Sequence, residues 1–312
     1  MSLNEQAMAV CNEMANDAKD LGCAVSLVAD ARIIDAGIDQ LGSIHAGIKL
    51  AQASMANLGS VHAVPGHIGQ VATPQIVVSI NQPVAACMAS QYAGWKICVN
   101  EYFAMGSGPM RAAYGKEELY DHIGWREDPN CVVGILETEE QPTNQVISHL
   151  AESCRVNPQN ITLIAARTAS LAGGVQVVAR SVETAMHKLH ELEFDLHRVI
   201  GGLGQAPLPP IAKDHLTAIG RTNDAILYGA RCTLYVTGDD QSLSKVSEQL
   251  PSSASKDYGQ PFAEIFKRYD HDFYKIDPML FSPAVVCLQN IETGTTRTVG
   301  QTNTDVLTHS FF

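Results

Sequence analysis

Apolar residues recur every three or four positions from residue 4 to 20, the spacing of an amphipathic helix, and Gly22 ends it. The next stretch, CAVSLVADARIIDAG (23–37), predicts two short strands around a turn. A second helix is expected over 42–59, where positions 44, 48, 51 and 55 share a face. QIVVSIN (75–81) is rich in β-branched residues and reads as a strand. PVAACMASQYAG (83–94) has Pro at its head and Gly at its tail, as helices do, and WKICVNEYFAM (95–105) returns to extended chain. CVVGILE (131–137), TNQVISHLAESC (143–154) and ITLIAA (161–166) together form a βαβ pattern. GGVQVVA (173–179) alternates with period two and predicts a strand; SVETAMHKLHEL (181–192) carries Val182, Met186 and Leu189 on one helical face. GGLGQAPLPP (201–210) reads as a linker or loop and 238–261 as a polar insertion. A short helix near FAEIFKRY and strands near AVVCLQNI and TTRTVG follow. The pattern predicts a mixed α/β (α+β) protein with mixed sheets and flanking helices. Two domains are expected, 1–130 and 131–312, with the last strands free to return to the first.

Composition narrows the function. At 312 residues and 46% hydrophobic the chain can bury one large core or two ordinary ones. Its 21 Lys and Arg against 33 Asp and Glu give a net charge of −12 without a basic cluster, which argues against nucleic-acid binding. The eight cysteines are scattered, with no Cys-x-x-Cys, and read as reduced, mostly buried thiols of a cytoplasmic protein. The N-terminus has no secretory pattern. Between Lys49 and Lys96 lie 46 residues without a charged side chain, but His62, Pro65, His67, Pro74, Asn81 and Pro83 break any membrane span. That stretch is expected in the interior or at a subunit interface.

Three clusters could carry chemistry. In EYFAMGSGPMRA (101–112), Gly106 and Gly108 permit close approach of another group, and Pro109 can open a helix with Arg111 in its first turn; the alternative is a tight turn with no ligand. The motif cannot be completed to Gly-x-Gly-x-x-Gly, because Arg111 stands where the last glycine belongs, and no phosphate loop or Gly-x-Ser-x-Gly elbow is present. In RTASLAGGVQVVARSVE (167–183), Arg180 and Glu183 are three apart as a helix begins, so the arginine can orient the carboxylate and tune its acidity; the alternative is an ordinary surface ion pair. The third cluster, Thr222, Asn223 and Asp224 ahead of Tyr228, is otherwise a turn starting a core strand. His187 and His190 are three apart but lack further ligands at a recognised spacing, so they read as surface histidines and no metal is expected.

EYFAMGSGPMR (101–111), RTASLAGGVQVVARSVE (167–183), TNDAILYG (222–229) and ASQYAGW (89–95), in one chain, resemble the methenyltetrahydromethanopterin cyclohydrolase family. Arg167 departs from the pattern, which has Pro before Thr-Ala-Ser, and no alignment is made beyond about residue 237. The resemblance implies a cytoplasmic enzyme of one-carbon metabolism that interconverts methenyl and 5-formyl forms of a tetrahydromethanopterin carrier, without a metal or redox cofactor. It implies two α/β domains with the pocket between them, and a homotrimer. Arg180 and Glu183 would be the catalytic pair. Gly106, Ser107, Gly108, Arg111, Thr168, Ser170, Gln176, Asn223, Asp224 and Tyr228 would bind the pterin substrate. The net charge leans towards a bacterial, formaldehyde-oxidising setting in methylotrophy. A non-catalytic pterin carrier and a hydrolase or deaminase of another cationic heterocycle remain as rivals.

Overall fold

A computed structural model describes residues 1–312. In chain order the elements begin with α1 (Leu3–Asn16), β1 (Ala24–Val28), β2 (Ala31–Gly37), α2 (Ile44–Ser54), β3 (Gly59–Val64), β4 (His67–Ile68), β5 (Val71–Ala72) and β6 (Gln75–Ile80). A π-helical segment, Val84–Gln91, leads to β7 (Trp95–Val99), β8 (Tyr102–Ser107), α3 (Met110–Tyr114), α4 (Leu119–Ile123), β9 (Val132–Glu137), α5 (Asn144–Cys154) and β10 (Ile161–Ala166). Then come α6 (Leu171–Val178), α7 (Ser181–Glu191), β11 (Val199–Pro207), α8 (His215–Asp224), a π-helical turn Ala225–Gly229 and β12 (Arg231–Val236). The chain closes with α9 (Asp240–Ser247), α10 (Phe262–Arg268), β13 (Val285–Asn290), β14 (Thr296–Gly300) and α11 (Thr304–Phe311). No helix is long and apolar enough to cross a membrane.

By packing, the chain divides into Met1–Ser60 with Ala85–Gln176, and Val61–Val84 with Val177–Phe312. The expected cut at 130/131 falls inside the first unit. There β9 and β10, from the βαβ pattern, pair with β8 and β2 of the earlier chain.

The first unit is built on a six-stranded sheet, β1-β2-β10-β9-β8-β7, whose central β2, β10 and β9 run parallel. Alternate residues of these strands feed two cores, which is why they read as continuous apolar runs. Ile34, Val133 and Ile164 face Val10 and Met14 of α1 and Leu50 of α2. Ile33, Ala104 and Leu163 face Met110 of α3 with Val146 and Leu150 of α5. The helices start where the sequence supplies caps: Ser2 and Glu5 form a reciprocal capping box on α1, and the Ser43 and Thr143 hydroxyls accept N–H groups of α2 and α5.

The second unit holds the sheet β14-β13-β12-β11-β6-β3, mixed in direction. Here one expectation is corrected. GGLGQAPLPP is no linker: Val199–Pro207 is the central strand β11, paired with β12 and β6. Its glycines let α7 lie directly on the sheet. A Cβ at Gly202 would sit 2.6 Å from Val182 Cγ1, and one at Gly204 2.1 Å from Ser181 Oγ. On the same strand Leu203 is left 44% exposed, beside Ser79 of β6 and Thr233 of β12.

The expected strand 173–179 is also corrected: Leu171–Val178 is the helix α6. Period two cannot be told from a buried helical turn in so short an apolar run. The Ser170 hydroxyl, accepting the Gly173 N–H at 3.0 Å, starts the helix, and Ala172, Val175, Val178 and Ala179 are fully buried at helical spacing. The charge-free stretch is interior over 85–91, whereas His62, Ala63, Val71 and Ala72 are exposed. None of the eight cysteines is in a disulfide, and 11, 23, 87, 154 and 232 are buried.

Candidate active site

In the second unit the expected pair sits at the first turn of α7. Arg180 occupies the cap position and Glu183 the third helical residue, where helix N-terminal N–H groups favour an anion. The side chains are 8% and 5% exposed, so this is no surface ion pair. Arg180 Nη1 stands 3.9 Å from Glu183 Oε2, an attraction of charge at more than hydrogen-bond length. Thr184 secures the turn by donating its N–H (2.8 Å) and hydroxyl (3.0 Å) to the Arg180 carbonyl. Ser181, fully buried between the two, has a hydroxyl with no hydrogen-bond partner, lodged over Gly204. A buried carboxylate beside a guanidinium can take a proton from water and return it.

TNDAILYG ends α8 and forms the π-helical turn before β12. The Asp224 carboxylate is fully buried and accepts the Phe262 N–H at 2.8 Å, tying α8 to α10; burial pushes its pKa up to about 7. The Tyr228 hydroxyl donates to the Gln260 carbonyl at 2.5 Å and accepts the Gly259 N–H at 3.1 Å. Asn223 alone of the three is partly exposed, donating to the Ile219 carbonyl at 2.9 Å.

In the first unit EYFAMGSGPMRA forms the end of β8 and the start of α3. Gly108 has a positive φ of 87°, and its N–H donates to the Ser90 carbonyl at 2.9 Å. Gly106 lies within β8 opposite Leu136, and Ser107 opposite Ile135. The Arg111 guanidinium is fully buried: Nε and Nη2 donate to Glu117 at 2.9 and 2.6 Å, Nη1 to the Met88 carbonyl at 3.1 Å, and Tyr92 and Tyr120 stack against it. Its donors are engaged within the unit.

Thr168, Ser170 and Gln176 come together around the carboxyl ends of β9 and β10. Ser170 donates to the Arg167 carbonyl at 2.7 Å as it caps α6. The Thr168 hydroxyl donates to Glu137 Oε1, and Gln176 Nε2 donates to Glu137 Oε2 at 3.4 Å. Glu137, the last residue of β9, is absent from the sequence reading. The signal available was an acid ending the apolar run CVVGILE, at the strand end where open α/β sheets bind ligands.

No group of three or more His, Cys, Asp or Glu is placed to hold a metal. His187 is mostly buried, contrary to expectation. Burial, with His190 and Lys188 nearby, pushes its imidazole down to about 4, so it meets Glu191 at 3.4 Å as a neutral ring.

In one of two mixed α/β units a buried arginine and glutamate share the first turn of a helix, an arrangement that can serve acid–base work on a water. The family described as Cyclohydrolase (MCH) matches residues 2–311. Methenyltetrahydromethanopterin cyclohydrolase of Rhodopirellula baltica is 46% identical over 91% of this chain and 87% of its own. The enzymes of that name from Methylobacillus flagellatus (43% identical; 99% of this chain and 95% of its own covered) and Methanococcoides burtonii (36%; 100% and 98%) match over essentially the whole chain. The chain belongs to the methenyltetrahydromethanopterin cyclohydrolase family.

Proposed function

We propose that the protein catalyses the reversible hydrolysis of 5,10-methenyl-tetrahydromethanopterin to 5-formyl-tetrahydromethanopterin. The observation that carries this reading is the buried Arg180–Glu183 pair at the start of α7, in a chain that matches the family from residue 2 to 311. The methenyl carbon lies between two nitrogens of a cationic amidinium and is already electrophilic. The reaction therefore calls for a positioned water and a base, not for a metal or a redox group.

Glu183 takes a proton from the water as its oxygen bonds to the methenyl carbon, giving a neutral carbinolamine. The carboxyl then protonates the aryl nitrogen and the carbinol hydroxyl loses its proton. The bond to the aryl nitrogen breaks and formyl stays on the pterin nitrogen, with one proton released overall. Arg180 holds the carboxylate in place. Thr168, Gln176, Ser107 and Asn223 are assigned to carrier binding, while Arg111, Ser170, Asp224 and Tyr228 hold backbone through the bonds described. Gly106 and Gly108 keep β8 and its turn close to their neighbours.

We further propose the cytoplasm as its place, the hydrolytic direction within formaldehyde oxidation as its use, and a homotrimer as its assembly. The exposed Leu203, with the uncharged Ser79 and Thr233 directly beside it on the open sheet face, supports association with copies of itself. The test follows the loss of methenyl absorbance with the tetrahydromethanopterin and the tetrahydrofolate compounds. A pterin carrier would bind the first without turnover. Glu183→Gln is expected to lower kcat by about 10²- to 10⁴-fold with little change in KM. Near-normal turnover in that variant would refute the assignment.

A further inference from the structure

We infer that Glu137 is the acceptor for the paired N–H donors of the pterin's cyclic guanidine edge, the ring N3–H and the 2-amino group, an assignment that rests on the carrier-binding reading above. Glu137 ends β9, one of three adjacent parallel strands whose carboxyl ends lie at Gly37, Ala166 and Glu137. Ligands of α/β sheets bind beyond such ends.

The carboxylate is prepared for a ligand. Thr168 donates to one oxygen and Gln176 to the other, at 3.4 Å. A carboxylate has about four acceptor positions, so one remains on each oxygen. Two acceptors side by side on one planar group match two parallel N–H donors, the geometry that makes carboxylate forks selective. Thr168 and Gln176 are both neutral, so they orient the carboxylate without cancelling its charge. Glu137 is only partly buried, which leaves it reachable, and its cross-strand neighbours are the apolar Met105 on β8 and Ala166 on β10. Apolar flanks suit a flat heterocycle and strengthen a charge-assisted hydrogen bond. Thr168 and Gln176 are therefore positioning residues that act through Glu137.

The test compares 6-methylpterin with 6-methyllumazine, which carries an oxygen in place of the 2-amino group, by fluorescence titration of the whole protein. The wild type is expected to bind the pterin about 10- to 100-fold more tightly, because the lumazine turns a carbonyl towards the carboxylate. Glu137→Gln, checked by its melting temperature, is expected to lose that preference. Equal binding of the two compounds by the wild type, no binding of 6-methylpterin, or an undiminished preference in the variant would each overturn the assignment. The wild-type comparison stands even if the variant fails to fold. Turnover of methenyl-tetrahydromethanopterin is followed on the same preparation. Its absence would count against the cyclohydrolase reading itself, whereas turnover without pterin preference counts against Glu137 alone.

Discussion

Gly204→Ala adds one methyl group where α7 meets β11. The new Cβ would stand 2.1 Å from Ser181 Oγ, 3.0 Å from Ser181 Cβ and 3.0 Å from Val182 Cγ2. Comfortable carbon contacts lie at about 3.5–4.0 Å, so the start of α7 must retreat by roughly 1 Å or Ser181 must leave its place. Overpacking of this kind costs about 1–3 kcal/mol, offset by about 0.4–1 kcal/mol from the stiffer unfolded chain. The melting temperature should fall by only about 2–4 °C for each kcal/mol that remains. Turnover should suffer more, because Arg180 and Glu183 flank Ser181 and a shift of about 1 Å in a reacting group costs about 10²-fold. Ser181→Ala removes the nearest atom and a buried hydroxyl without a partner, so alone it should be close to neutral in stability. Combined with Gly204→Ala it should restore part of both losses, a coupling that a double-mutant cycle measures. Wild-type kcat and melting in Gly204→Ala, or a double variant no better than the single, would refute the reasoning.

Two further outcomes follow from buried charge. Glu117→Ala leaves the fully buried Arg111 guanidinium without its carboxylate and should cost about 3–5 kcal/mol in urea unfolding, with Glu117→Gln milder. Burial raises the Asp224 carboxyl to about 7 from an ordinary 3.8, so between these values the folded state holds a proton that the unfolded state has lost. Stability should therefore fall as pH rises from about 4 to 7 and level off above, by about 1.4 kcal/mol for each full unit of difference. Asp224→Asn, which keeps an acceptor for the Phe262 N–H, should flatten that slope; an unchanged slope counts against it.

What was legible in the chain is what depends on near neighbours. The βαβ pattern over 131–166 acts within a few residues, and its elements form where the sequence places them. β11 was obscured because Gly202 and Gly204 are small for the sake of α7, about twenty residues away, a reason that no local window contains. α6 was misread because burial all around erases the difference between periods two and 3.6. Of the proposed site, Arg180 and Glu183 were legible as a pair because they share one helical turn. Glu137 was not, since its meaning arises from Thr168 and Gln176, 31 and 39 residues further on. Arg111 looked like a ligand contact, although its partner Glu117 lay six residues downstream.

The order in which the second unit's chain leaves the ribosome carries its own consequence. β6 is an uncharged, β-branched strand whose partner β11 spans 199–207, beyond the whole remaining length of the first unit. At about 5–20 residues per second, β6 waits on the order of ten seconds for that partner. Until then β3 lies on one edge of β6 and the other edge stays open, free to pair with a neighbouring nascent chain. Expression at lower temperature, or with a chaperone that covers extended apolar segments, should therefore improve soluble yield more than any change to the finished fold.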